Sequence, residues 1–114
     1  MTDNCIFCKI IAGEIPSSNV YEDDQIFAFR DINPAAPTHV LIIPKKHISS
    51  VSELETEDKA LIGHLIYSAA RIAEQEGVTN GYRLIVNNGA DAGQAVFHIH
   101  YHLLGGRKMT WPPG

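Results

Sequence analysis

A chain of 114 residues with 45% apolar content is the size of one domain with a single core. No repeat or low-complexity tract divides it, so residues 1–114 are expected to form one domain, with a C-terminal tail from about 105 to 114. The formal charge of -4 argues against a surface built to neutralise a nucleic-acid backbone, and V-L-I-I at 40–43 is far too short to span a bilayer. The first ten residues lack the basic start and long apolar stretch of an export signal, and a cytoplasmic protein with a small-molecule site is expected.

In chain order, residues 4–12 carry apolar side chains at helical spacing, and Gly13 and Pro16 end that short helix. Three strand-like runs follow: Asn19 to Tyr21, then Q-I-F-A-F-R-D, then T-H-V-L-I-I-P. Glu22, Asp23 and Asp24 make a polar turn between the first two, and N-P-A-A-P is a non-helical connector before the third, which together read as an antiparallel meander. Thr56, Glu57 and Asp58 open the longest helix, with Leu61, Leu65, Ala69, Ile72 and Ala73 on one side and Gly77 beyond its end. His64, alone on that helix, reads as a surface or satisfied core residue. Y-R-L-I-V-N is a fourth strand, N-G-A-D-A-G-Q a flexible loop, and F-H-I-H-Y-H-L-L a fifth strand. The outline is an α+β domain: an antiparallel sheet of about five strands with one long and one short helix, sheet on one side and helix on the other.

The fifth run holds half of the chain's six histidines within residues 98–102. On a strand, His98, His100 and His102 share one face while Ile99, Tyr101 and Leu103 share the other. Neighbouring imidazoles then stand about 6 to 7 Å apart along the backbone, which excludes one metal ion bound by all three. Such a row suits a phosphorus centre, where one nitrogen attacks, a neighbour offers a proton or charge, and another fixes the tautomer. Near the other end, Cys5 and Cys8 have the C-x-x-C spacing of a metal or redox pair. No strand precedes them, which disfavours a thioredoxin-like motif; on spacing alone, metal binding and a pair of buried free thiols are both open.

H-I-H-Y-H-L-L resembles the pattern that names the histidine triad (HIT) family of nucleotide hydrolases and transferases. K-I-I-A-G-E-I-P, F-R-D-I-N-P-A-A-P-T-H-V-L-I-I-P-K-K-H-I, V-N-N-G-A-D-A-G-Q, L-L-G-G-R and W-P-P-G extend the likeness over nearly the whole chain and look like its Hint branch. The resemblance implies an antiparallel sheet with helices, continued across a homodimer, and a purine nucleotide site for AMP or GMP. It makes His100 the nucleophile toward the α-phosphorus, His102 a phosphate contact, His98 the first triad member and His39 a fourth active-site histidine. Asp31 and Ile32 match the positions that hold ribose and base, with Phe29 beside them. Asn87 and the Gly93-Gln94-Ala95-Val96 segment match the phosphate side, although Ala95 stands where many relatives carry a serine. Trp111 resembles the residue that lies near the partner protomer's site. By the same resemblance Cys5, Cys8, His47 and His98 would hold a structural Zn2+, with no organic cofactor.

The function these features imply is purine nucleoside phosphoramidate hydrolysis through a nucleotidyl-histidine intermediate. Two other readings stay beside it: a dinucleoside polyphosphate hydrolase of the same family, and a nucleotide-binding or interaction module whose hydrolysis is incidental. No nucleic-acid or membrane partner is expected.

Overall fold

The computed structural model describes residues 4–114, so the expected domain's first three residues lie outside the described part. Cys5 starts the first helix, α1 (Ile6–Ile11): its backbone is extended and its sulfur accepts the Cys8 N–H at 3.2 Å, satisfying a donor that has no partner within the helix. Strands β1 (Asn19–Glu22), β2 (Ile26–Arg30) and β3 (Thr38–Pro44) follow as a meander. The turn between β1 and β2 is built on Asp23, whose Oδ1 accepts the N–H groups of Gln25 and Ile26 at 2.8 and 2.9 Å. Tyr21 donates to its Oδ2 at 2.8 Å, and His64 stands 2.7 Å from the same oxygen. Burial pushes the Asp23 carboxyl up, but these hydrogen bonds outweigh it and hold the group below the usual carboxylate range. His64 is thus satisfied, and it ties the turn to the long helix.

That helix, α2 (Lys59–Gln75), begins one tight 3-10 turn later than its Thr56 signal suggests. Asp58 holds the junction by accepting the Glu55 N–H at 2.9 Å and the Lys46 ammonium at 2.6 Å. Strands β4 (Tyr82–Val86) and β5 (Tyr101–Gly105) complete a five-stranded antiparallel sheet in the order β1-β2-β3-β5-β4. The meander therefore covers the first three strands only. The chain passes to the far edge for β4 and returns through β5 between β3 and β4, which places the histidine segment near the middle of the sheet. Gly105 on β5 allows a close approach, since a Cβ there would lie 2.8 Å from the Val78 Cβ.

Two corrections concern the layers and the last strand. Helix α2 covers one face, with Leu65, Ala69 and Ile72 packed against Ile26, Val40, Ile42, Ile99 and Leu103. Helix α1 covers the other face, where Phe7, Cys8 and Ile10 meet Phe27, Phe29, Leu41 and Ile43. The arrangement has three layers rather than two, which explains why every residue of β3 is buried: alternate side chains enter different cores. The expected histidine strand is also shorter. Only His102 lies in β5, and His98 and His100 precede it in irregular backbone. Alternation survives nonetheless, because Ile99, Tyr101 and Leu103 all enter the α2-side core. Among the described residues no helix is long and apolar enough to cross a membrane.

Candidate active site

Three connections bring the histidines together. The Ile99 N–H donates to the Ile48 carbonyl at 2.6 Å, joining the K-K-H segment to the stretch between His98 and His100. On the next strand pair, Leu41 of β3 lies opposite His102 of β5. Beyond the end of β2, the Asp31 N–H donates to the His39 carbonyl at 3.0 Å and keeps the carboxylate beside the β3 histidine.

A cavity of about 470 Å³ opens over this region. Its walls include the apolar Ile10, Ile15, Phe29, Ile32, Ala95 and Val96, together with Asp31, Asn87, Gly93, His100 and His102; the Asp31 carboxylate lies within 4.8 Å of a His102 ring nitrogen. Gly93 ends a 3-10 turn (Ala90–Ala92) with φ 89°, a left-handed conformation that favours glycine. Ile32 stands at the rim, 92% exposed. Of the residues expected at the nucleotide, Phe29, Asp31, Ile32, Asn87, Gly93, Ala95, Val96, His100 and His102 stand on its walls.

Three expected members, Gln94, His39 and His98, do not line it; His39 stands behind His102, and His98 turns to the cysteines. Gln94 is buried and absent from the cavity wall: its Oε1 accepts the Gly89 N–H at 2.8 Å, and its amide donates to the carbonyls of Ser49 and Val96 at 2.7 and 3.1 Å. It braces the loop from behind. Trp111 is exposed and does not reach this chain's own cavity. Conversely, Phe7, Ser17, Ser18 and Leu41 line the cavity without having been singled out in the sequence. Phe7 packs edge-on against His100, ring centroids 5.1 Å apart. Only the folding of α1 over the sheet brings it there.

Backbone partners determine which ring nitrogens carry protons. A carbonyl can only accept, so the 2.8 Å contact between His100 Nδ1 and the His98 carbonyl is an Nδ1–H donation. Neutral His100 then carries a lone pair on Nε2, the nitrogen left for the cavity. His39 has the opposite arrangement: its Nδ1 accepts the Ala35 N–H at 3.0 Å, so its proton is on Nε2. That proton points to His102 Nδ1, 2.9 Å away, and leaves His102 with its own proton on Nε2. Burial pushes His39 below its ordinary pKa, partly opposed by Asp31 at 3.5 Å. His102 is pushed down to about 4 by burial and then by repulsion from His100 and His39. Side by side, the cavity therefore presents a lone pair on His100 and an N–H donor on His102, their rings 5.1 Å apart.

Behind this wall a second cluster forms. Cys5 Sγ lies 3.4 Å from His98 Nδ1, Cys8 Sγ lies 3.4 Å from His47 Nδ1 and 3.5 Å from His98 Nδ1, and the two Nδ1 atoms are 3.2 Å apart. Four donors around a tetrahedral zinc ion, with bonds of roughly 2.0 to 2.3 Å, stand roughly 3.3 to 3.8 Å from one another. His98 donates Nε2–H to the Pro44 carbonyl at 2.8 Å, so its Nδ1 lone pair faces the cluster in the manner of a metal-binding histidine. The set fits a closed tetrahedral ion. Asp31, His39 and His102 also converge, but their chemistry differs. The Ala35 N–H occupies His39 Nδ1, so a metal at Nε2 would require an imidazolate or a broken hydrogen bond.

The HIT domain model matches residues 12–109. The chain belongs to the HIT family. It is 53% identical over its full length to an uncharacterized HIT-like protein of Synechocystis sp., also covered in full. A 14 kDa zinc-binding protein of Zea mays is 53% identical over 96% of this chain and 87% of its own. The crystal structure of a HIT family hydrolase from Legionella pneumophila superposes with a TM-score of 0.95 at 54% identity, over 97% of this chain and all of that one.

Proposed function

We propose that this HIT protein hydrolyses purine nucleoside 5′-phosphoramidates to the nucleoside 5′-monophosphate, AMP or GMP, and a free amine. The observation that carries the reading is the pairing of a lone pair on His100 with an N–H on His102 in a cavity that also offers apolar walls and the Asp31 carboxylate. A purine suits the Phe29, Ile10, Ile15 and Ile32 walls. The Asp31 carboxylate suits both ribose hydroxyls: Oδ1 accepts the Asn33 N–H at 2.8 Å, and each oxygen retains further acceptor capacity. The phosphate then falls among Asn87, Gly93, Val96 and the two histidines.

His100 Nε2 attacks phosphorus, and the P–N bond breaks with its electron pair on nitrogen, which takes a proton and leaves as the amine. The nucleotidyl-imidazolium keeps its Nδ1–H on the His98 carbonyl, which offsets the new positive charge. Water then displaces the imidazole, releasing the monophosphate and a proton. His102, neutral and aimed by His39, donates a hydrogen bond to the phosphoryl oxygens as charge builds on them. With alanine at position 95, no side-chain hydroxyl stands there to protonate the amine, and the proton enters from solvent.

Cys5, Cys8, His47 and His98 hold a zinc ion in this reading, and the ion closes α1 onto the sheet as a structural staple. The name of the maize relative supports that choice of metal. The protein acts as a homodimer. Strand β4 supports this, since among the described residues it pairs only with β5 and presents an open edge for continuing the sheet, and Ile66 and Tyr67 of α2 are exposed. Trp111 belongs to the partner's site. The direct test is release of AMP from adenosine 5′-phosphoramidate, with diadenosine polyphosphates as the comparison: faster turnover of the polyphosphate would replace this reading with that one.

A further inference from the structure

Strand β5 ends at Gly105, which lies opposite Thr38 at the start of β3, and the next two residues turn back onto the N-P-A-A-P connector. Gly106 has φ 90°, and a Cβ there would lie 2.9 Å from the Pro37 Cβ, so only glycine lets the chain approach the connector this closely. Arg107 then reaches across it: Nη2 donates to the Ala35 carbonyl at 3.2 Å, while Nη1 donates to the Lys108 carbonyl at 3.3 Å and folds the guanidinium along its own segment. We propose that Arg107 is a positioning residue, which pins Ala35 so that its N–H keeps the protons of His39 and His102 on their Nε2 atoms. The inference deepens the phosphoramidate reading and rests on it, because it supplies the N–H that His102 offers to the phosphoryl oxygens.

The connector needs such a pin. Pro34 and Pro37 have no N–H with which to tie it down, the Asn33 N–H is committed to Asp31, and the Ala35 N–H is committed to His39 Nδ1 at 3.0 Å. The carbonyl that Arg107 holds and the N–H that His39 uses flank the same Cα, so anchoring one restricts the other. Alignment matters here, because a hydrogen bond weakens steeply once its angle closes. Freed from the Ala35 N–H, His39 could carry its proton on Nδ1 and accept at Nε2 from His102 Nδ1, 2.9 Å away. His102 would then turn a lone pair to the cavity and repel the phosphoryl oxygens. The Asp31 carboxylate, 3.5 Å from His39 Nε2, opposes that exchange, so loss of the pin should give a mixture of tautomers rather than a full reversal.

Arg107 is exposed and is not among the residues that line the reaction cavity. Its influence therefore runs through the connector and not through contact with the nucleotide, and it belongs in kcat rather than in KM. Exposure also means that replacing it leaves no hole in either core.

The experiment pairs histidine nitrogen NMR at neutral pH with steady-state kinetics on adenosine 5′-phosphoramidate, for the intact protein, Arg107→Ala and Arg107→Lys. In Arg107→Ala the His39 and His102 signals should move from the Nε2–H pattern to a mixture, and kcat should fall by about fivefold to tenfold with KM changed by less than about twofold. Arg107→Lys, which can still donate to one carbonyl, should recover part of both. Added methylguanidinium should raise the turnover of Arg107→Ala and leave that of the intact protein unchanged. Unaltered tautomers in Arg107→Ala, whatever its turnover, would overturn the inference, as would a rise in KM with kcat unchanged, which would make Arg107 a substrate contact. Absence of turnover in the intact protein would overturn the phosphoramidate reading, while the nitrogen spectra would still decide whether Arg107 sets the tautomers.

Discussion

His39 Nε2 stands 2.9 Å from His102 Nδ1, and the direction of that hydrogen bond is set by a backbone group on neither residue, the Ala35 N–H. The N-P-A-A-P connector thereby governs the tautomer of a histidine on β5. His39→Phe keeps the ring volume and removes the bond, so His102 should lose its fixed Nε2–H. Turnover should fall on the order of tenfold to a hundredfold. Nitrogen NMR should show His102 as the Nε2–H tautomer in the parent protein and as a mixture in the variant.

Acid stability carries the signature of the same pair. His102 titrates at about 4 in the fold, below the ordinary histidine value of 6.5, so between those values the unfolded chain binds a proton that the folded chain refuses. Stability is therefore lost as pH falls from about 6.5 to 4, by up to about 3 kcal/mol for this residue. Denaturant unfolding across that window should show the slope, and His102→Gln should flatten it. An unchanged slope would remove His102 from the account of acid unfolding.

A ribose contact at Asp31 requires the 2′- and 3′-hydroxyls. Asp31→Ala should weaken AMP binding by about tenfold or more and 2′,3′-dideoxy-AMP far less, as calorimetric titration can measure. Equal losses would show that Asp31 works through His39 or through folding of its loop.

The cysteine-histidine cluster should hold about one zinc ion per protomer by elemental analysis. Cys5→Ser with Cys8→Ser should lower Tm by several degrees while turnover per folded molecule changes less, because the cluster joins α1 to the sheet behind the reacting face. Metal-free protein with unaltered Tm would end the staple role.

Much of this was legible in the sequence because the informative patterns are local. The alternation of His98 to Leu103, the apolar run of β3 and the Asp23 turn each record their own strand or turn. The flanking of the sheet by α1 was not legible, because a six-residue helix carries no sign of which face it will cover. The same limit hid Phe7 from the site. Gln94 misled for a related reason: loop residues beside a site look alike in sequence, and only the positions of Ser49 and Val96 show that its amide turns inward. The early irregularity at His98 and His100 follows from their backbone and rings being used elsewhere, the His98 carbonyl on His100 and the His98 ring on Pro44.

The central claim is that His100 forms a covalent bond to phosphorus. Rapid quenching during hydrolysis of adenosine 5′-phosphoramidate, followed by digestion under alkaline conditions and mass spectrometry, reads it directly. The account predicts an adenylyl adduct on His100 that forms and decays at rates compatible with turnover, and loss of both adduct and turnover in His100→Ala while AMP still binds. Turnover retained by His100→Ala, or an adduct on another residue, would contradict it.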